Sequence, residues 1–195
     1  MRKEIYRGAD DEARDLFARA DVVQIATTGD DGRPILRTFD AVVVDGAVGF
    51  HGAPAGEKME GLGKRAVAAA HETVASIPSW FFDPERACPA TTYYVSAQAD
   101  GVLEEVTEPG AKARILQALM EKRQPEGRHA PVRADDRRYK KAIAGLLVAR
   151  VSLERVACKV KLGQNRTPRE RTRVLERLWA RGEPGDVETA EVHRA

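Results

Sequence analysis

The chain has 195 residues, 43% hydrophobic and 32% charged, with a mean hydropathy of −0.44. That length suits one domain of ordinary size, and no apolar run approaches the ~18–20 residues that a membrane-spanning helix needs. The net charge of +2 hides an asymmetry: residues 1–111 carry 11 basic against 19 acidic side chains, residues 112–195 carry 21 against 11. A basic half suits phosphate or nucleic acid. Pairing with the acidic half of the same molecule, or of a dimer mate, is the reading preferred here, because acidic residues are interspersed throughout and there is no lysine-rich tail.

In chain order, Asp10-Asp11-Glu12 opens a helix, since carboxylates suit the positive helix start. Ala13, Leu16, Phe17 and Ala20 give it one apolar stripe. Val22–Thr28 reads as a strand, Gly29-Asp-Asp-Gly32 as a hairpin turn, Pro34–Val44 as a second strand, Asp45-Gly46 as a tight turn and Ala47–His51 as a third strand. Such a meander excludes a Rossmann arrangement, whose parallel strands are separated by helices. Pro54–Gly63 is expected to be a short helix and Arg65–Ile77 a buried strand, its alanines leaving helix open. An irregular aromatic stretch holds Trp80, Phe81 and Phe82, and Thr91–Val106 is again β.

Pro109–Lys122 reads as a helix with Ile115, Leu116, Leu119 and Met120 on one side, followed by a loop over Gln124–Arg133. A short helix to Lys141 and a strand over Ile143–Lys161 complete the sheet. Thr167-Pro-Arg-Glu170 is a capping box that opens the last helix. Val174, Leu175, Leu178 and Trp179 are its expected buried stripe, Gly182 its stop, and the tail beyond Glu183 reads as frayed. The expected fold is therefore mainly β with α insertions, about six antiparallel strands closing into a split barrel, because closure removes exposed edges. Residues 1–20 read as an N-terminal helical segment, 21–166 as the barrel domain, and 167–195 as a basic amphipathic helix and tail.

Chemistry-bearing patterns are few. Cys88 and Cys158 stand far apart with no CxxC spacing, and His51, His71, His129 and His193 show no ligand spacing, so no metal site is expected. There is no GxSxG, P-loop or GxGxxG, which leaves a bound cofactor to supply any reaction. The informative stretch is Val48–Met59. A strand ends at His51, the backbone turns through two glycines and a proline, and Lys58 follows in the first turn of the expected helix. Small residues let backbone N–H groups approach an anion and Lys58 adds a full charge, so this is a candidate phosphate site. The alternative is an ordinary strand–turn–helix corner with a solvated lysine.

Phe50-His-Gly-Ala-Pro-Ala-Gly-Glu-Lys58, after Pro34-Ile-Leu-Arg37, resembles the FMN-binding split-barrel superfamily of pyridoxamine 5′-phosphate oxidase-like proteins. Within it the chain is most similar to the Nim-type nitroimidazole-resistance proteins and the PaiB-type FMN-binding transcriptional regulators. Ser79–Ser96 fits the family's central strands, and Val160-Lys-Leu-Gly-Gln-Asn-Arg166 resembles the Lys-Leu-Ser-Gln-Asn-Arg stretch of the PaiB type. The resemblance implies a homodimer with FMN in each interfacial cleft. Arg37 would reach the FMN phosphate, with Thr38 and Phe39 presenting backbone to the ring. His51 would lie beside phosphate or ring, Gly56 and Lys58 in the phosphate loop, and Ser96 at the ring's other edge. Gln164, Asn165 and Arg166 would either satisfy backbone at their corner or reach a partner's flavin. Glu57 departs from the basic pair of the oxidases, which removes one phosphate contact. The oxidases' C-terminal Arg-x-His-x-Arg is missing, which counts against pyridoxamine phosphate as substrate.

The implied function is an FMN-dependent oxidoreductase acting on a small planar substrate, with His51 as proton donor because histidine titrates near neutrality. A cytoplasmic location is expected, without membrane association. The first alternative is a PaiB-type regulator or sensor without turnover, supported by the basic half and by Arg169, Arg171, Arg173 and Arg177, and opposed by the lack of a helix-turn-helix. The second is haem binding with His51 as axial ligand.

Overall fold

The computed structural model describes residues 4–186, so His193 and the end of the tail lie outside the described residues. In chain order the strands are β1 (Arg7–Gly8), β2 (Val22–Thr28), β3 (Pro34–Val44), β4 (Ala47–Gly52), β5 (Arg65–Ile77), β6 (Thr91–Val102), β7 (Glu104–Glu105), β8 (Leu147–Ser152) and β9 (Val156–Lys161). The helices are α1 (Asp10–Arg19), α2 (Pro109–Arg123), α3 (Lys140–Gly145) and α4 (Pro168–Arg181). The chain divides into two compact units, each with its own core.

The larger unit comprises Asp10–Ala70 and Ala97–Ala157. Its strands run in the order β5–β2–β3–β4–β8–β7, each neighbouring pair antiparallel. Two short turns set the register of the meander. Asp45 and Gly46 take φ of 51° and 70°, the left-handed pair that matches strand twist, so Val44 faces Ala47. The first hairpin places Val22 opposite Asp40 and Thr28 opposite Pro34. Along β2 the alternation of the sequence survives, with Val23 and Ile25 buried and their neighbours not. Ala66, Ala68 and Ala70 bury the same face of β5.

Helix α2 seats Ile115 and Leu119 against Val42, Val106 and Val148. Its start is capped by Glu108, whose carboxylate accepts from the backbone N–H of Gly110 at 2.6 Å and from that of Ala111. Its end is fixed by cations: Lys122 donates to the carbonyls of Ala20 (2.6 Å) and Ala41 (3.0 Å), while Arg123 pairs with Asp40 at 2.7 Å. Burial pushes the Lys122 ammonium below its ordinary pKa.

The smaller unit comprises the described parts of Met1–Ala9, His71–Ser96 and Cys158–Ala195. Its core gathers Ala75, Ile77, Phe81, Tyr93, Val174 and Leu178. The α4 capping box forms as the sequence predicts, and Gly182 ends the helix at φ 65°. Just beyond it, Asp186 is buried and holds the Arg181 guanidinium at 2.6 Å, which keeps its carboxyl below the ordinary range.

Several expectations need correction. The fold is mixed α/β, with nine strands and four α-helices among the described residues, rather than mainly β with about six strands. Pro54–Gly63 holds only a single 3-10 turn, Glu57–Met59, because its glycines and proline leave too short a run for an α-helix. The expected strand Ile143–Lys161 starts at Leu147 and breaks at Leu153–Arg155, where the Ser152 hydroxyl accepts from Glu154 N–H at 3.2 Å. On α4, Val174 and Leu178 are buried but Trp179 is 58% exposed.

Candidate functional site

The glycine-rich corner lies in the larger unit, between the end of β4 and the start of β5. Gly56 takes φ 83°, a conformation that non-glycine residues rarely adopt, and so sets the chain into the Glu57–Met59 turn. Lys58 folds back across the corner. Its ammonium donates to the Ala55 carbonyl, and a Cβ on Gly52 would sit 3.3 Å from Lys58 Cε. The small residue beside His51 therefore makes room for the lysine stem. His51 is the exposed end of a buried strand whose Phe50 is wholly enclosed.

Arg37 comes to this corner from β3. Its guanidinium forms an ion pair with Glu57 and donates to the Leu36 carbonyl at 2.8 Å. Arg33, from the hairpin before β3, reaches the other Glu57 oxygen at 2.9 Å and lies 3.8 Å from Glu60. Arg33 and Arg37 thus meet on Glu57, and Lys58 follows Glu57 in the same 57–59 turn. Phe39 stacks on Phe50 with ring centroids 3.9 Å apart. The register sets Arg37 opposite Ile25 and Thr38 opposite Gln24, so these consecutive residues leave opposite faces of the sheet.

Sequence reasoning did not single out Arg33. Its signal was there: an arginine between a turn glycine and Pro34, where a hairpin end projects its first side chains towards the next connection. Nor did it assign Glu57 its two partners, since that depends on how the 57–59 turn faces β3.

Arg37, Thr38, Phe39, His51, Gly56 and Lys58 all belong to the larger unit, and Ser96, Gln164, Asn165 and Arg166 to the smaller. Ser96 is half-buried on β6. Gln164 spends its amide on its own corner, accepting from Leu162 N–H at 2.8 Å and donating to the Val160 carbonyl at 2.9 Å. Arg166 stacks over Phe82 at 4.1 Å and lies 3.7 Å from Glu170. Asn165 is exposed. Backbone satisfaction and packing therefore account for Gln164 and Arg166 in this structure. Of the α4 arginines, Arg177 donates to the Trp80 carbonyl and lies over the Trp80 and Phe81 rings.

A cavity of about 360 Å³ runs along α2, lined by Gly110, Ala113, Arg114, Gln117 and Val132 among others, and none of the expected site residues lines it. Among the described residues no group of three His, Cys, Asp or Glu side chains could hold a metal, and no helix is long and apolar enough to cross a membrane.

An antiparallel meander that continues through a glycine-rich corner bearing a strand arginine and a loop lysine defines the split-barrel class. The family model for pyridoxamine 5′-phosphate oxidase matches residues 9–160, and the chain belongs to that family. Solved structures share the fold. The flavocytochrome Anf3 of Azotobacter vinelandii aligns with a TM-score of 0.65 at 17% identity, covering 80% of this chain and 69% of that one. The FAD and haem binding protein of Mycobacterium smegmatis gives 0.65 at 16%, covering 91% and 80%. A candidate 5-nitroimidazole antibiotic resistance protein of Bacteroides thetaiotaomicron VPI-5482 gives 0.59 at 14%, covering 82% and 85%. No curated protein matches the chain.

Proposed function

We propose that this protein binds a flavin, FMN in the first instance, and acts as an oxidoreductase on a small planar substrate at the interface of a homodimer. The observation that carries the reading is the pairing of Arg33 and Arg37 on Glu57, next in sequence to Lys58 in a turn entered through small residues. One cluster of this size matches one phosphate group, and its donors are half-exposed and free to re-aim from Glu57 and the Ala55 carbonyl. When bound, a flavin supplies the electron transfer. The chain's own part is to bind, orient and supply protons: Arg37 and Lys58 would hold the phosphate, and His51, exposed on β4, would serve as the proton donor.

Support for the homodimer comes from an open face of the sheet. The register aligns Val22, Gln24 and Ala26 with Asp40, Thr38 and Leu36 on one side. Leu36 is 57% and Val22 50% exposed there, a cost to a monomer that a second copy relieves. Haem binding at His51 is a second reading, favoured by the exposure of that ring at a strand end and by the names of the Azotobacter and Mycobacterium neighbours.

The absorption spectrum of the protein mixed with FMN, FAD or haemin separates the readings. Saturable flavin binding that Lys58→Ala weakens at least tenfold supports the proposal, because a charge-assisted phosphate contact contributes roughly 1.5–3 kcal/mol. A Soret band lost in His51→Ala favours haem. No change with any of the three overturns both.

A further inference from the structure

We propose that the smaller unit carries an oxyanion site of its own, formed by Lys159 and Lys161 where they converge on Tyr94. The site is independent of the flavin reading. Strand alternation puts Lys159 and Lys161 on one face of β9. Their ammonium nitrogens lie 5.0 Å and 5.6 Å from the centroid of the Tyr94 ring. Lys159 donates to the Tyr94 hydroxyl and Lys161 to Thr91 Oγ1, each at 2.5 Å.

Those bonds use one N–H of each ammonium, which has three. Among the described residues no acceptor takes the others, and no carboxylate lies within ion-pair reach of either lysine. Both side chains are half-buried. The register of β1 on β9 then sets a third cation, Arg7, directly opposite Lys159. Like charges opposed across a strand pair repel, and among the described residues the carboxylate in ion-pair reach of this group is Glu4, an exposed partner of Arg7 at 3.5 Å.

Two half-buried ammoniums held on one phenol ring, with donors unspent and no counter-charge, are matched by an oxyanion: a phosphate or carboxylate, either free or at the head of an organic molecule. Lysine suits such a ligand because its donors rotate to fit. The phenol hydroxyl and Thr91 hold the two stems in place before the anion arrives.

The test is a titration of the purified full chain with inorganic phosphate and, separately, phenyl phosphate, followed by NMR of the lysine Cε–Hε and Tyr94 ring signals. One saturable curve shared by Lys159, Lys161 and Tyr94 is expected, weakened at least tenfold in Lys159→Gln/Lys161→Gln and unchanged in the exposed-lysine control Lys141→Gln. The single variants Lys159→Gln and Lys161→Gln each weaken it as well, should the double variant fail to fold. Tighter binding of phenyl phosphate identifies an organic ligand's head group; equal binding identifies the free ion. Shifts that never saturate, or saturable binding that survives in the variants, overturn the site. Flavin affinity measured alongside in Lys159→Gln is expected to stay unchanged, so a failure here leaves the flavin reading standing, and the reverse.

Discussion

At the scale of single residues, the proposed flavin site makes Glu57 the side chain on which cofactor affinity is expected to turn. It stands between Arg33 and Arg37 and neutralises the cations that a phosphate needs. Glu57→Gln keeps the shape and removes the competing charge, so FMN binding is expected to tighten about tenfold, the ~1.4 kcal/mol scale of one charge-assisted hydrogen bond. Fluorescence titration measures it; unchanged or weaker binding in Glu57→Gln takes Arg37 out of the phosphate site. Two other carboxylates predict a response to acid. Hydrogen bonds from the Arg138 side chain and backbone hold Asp136 at about 2, and those from Arg86, backbone first and then side chain, hold Asp83 at about 2, both against 3.8. Each pKa is depressed by folding, so each group favours the folded state above about pH 4 and loses that contribution as pH falls through 2. Carboxyl-carbon NMR titration is expected to give midpoints near 2, whereas midpoints near 4 would show both pairs open in solution.

At the scale of elements, the corner between β9 and α4 is set by one glycine. Gly163 takes φ 84°, and a Cβ there would lie 2.2 Å from the Tyr93 hydroxyl. Tyr93 is buried in the core of the smaller unit and has no room to retreat. Gly163→Ala therefore adds left-handed strain to overpacking, a destabilisation of about 2–4 kcal/mol by chemical denaturation. A loss under ~1 kcal/mol would mean the corner relaxes.

The resemblance motif around Gly163 was visible in sequence, but its close approach to Tyr93 was not, because that depends on two elements meeting. The same division holds elsewhere. The bounds of β2, β3 and β5, the two Asp-Gly turns and the α4 cap follow from local rules, namely β-branched runs, positive φ and reciprocal capping. Where tertiary packing decides, local reading fails. Trp179 extends an apolar stripe yet stays exposed, and Arg177, one of the four arginines that the regulator alternative drew on, lies over Trp80. Of the candidate site, the His51–Lys58 stretch stood out from its own glycines, proline and lysine, while Arg37 entered only through the family resemblance. The pairing of Arg33 with Glu57 was not, since residues 24 apart meet only once the hairpin has formed.

At the scale of the whole molecule, the question is what completes the corner. On the proposed reading a second copy supplies the far wall of the site that Arg37, Lys58 and His51 begin. The open face of β2 and β3 offers the means of pairing. Leu36 sits near its centre, opposite Ala26, with Thr38 and Gln24 beside it. Placing a carboxylate there costs a monomer nothing, since Leu36 is already 57% exposed, but leaves an unpaired charge inside any interface that forms. Leu36→Asp is therefore expected to shift light scattering from dimer to folded monomer and to lower FMN affinity at least tenfold. Lys58→Ala is expected to lower affinity and leave assembly unchanged. Added FMN is expected to raise the melting temperature of the wild type by stabilising the assembled state, about 2.7 kcal/mol at a hundred times Kd, and to do so far less for Leu36→Asp. If Leu36→Asp stays dimeric with full affinity, pairing uses another face. If the wild type is a monomer that binds FMN tightly, the corner is complete within one chain and the interfacial site is wrong.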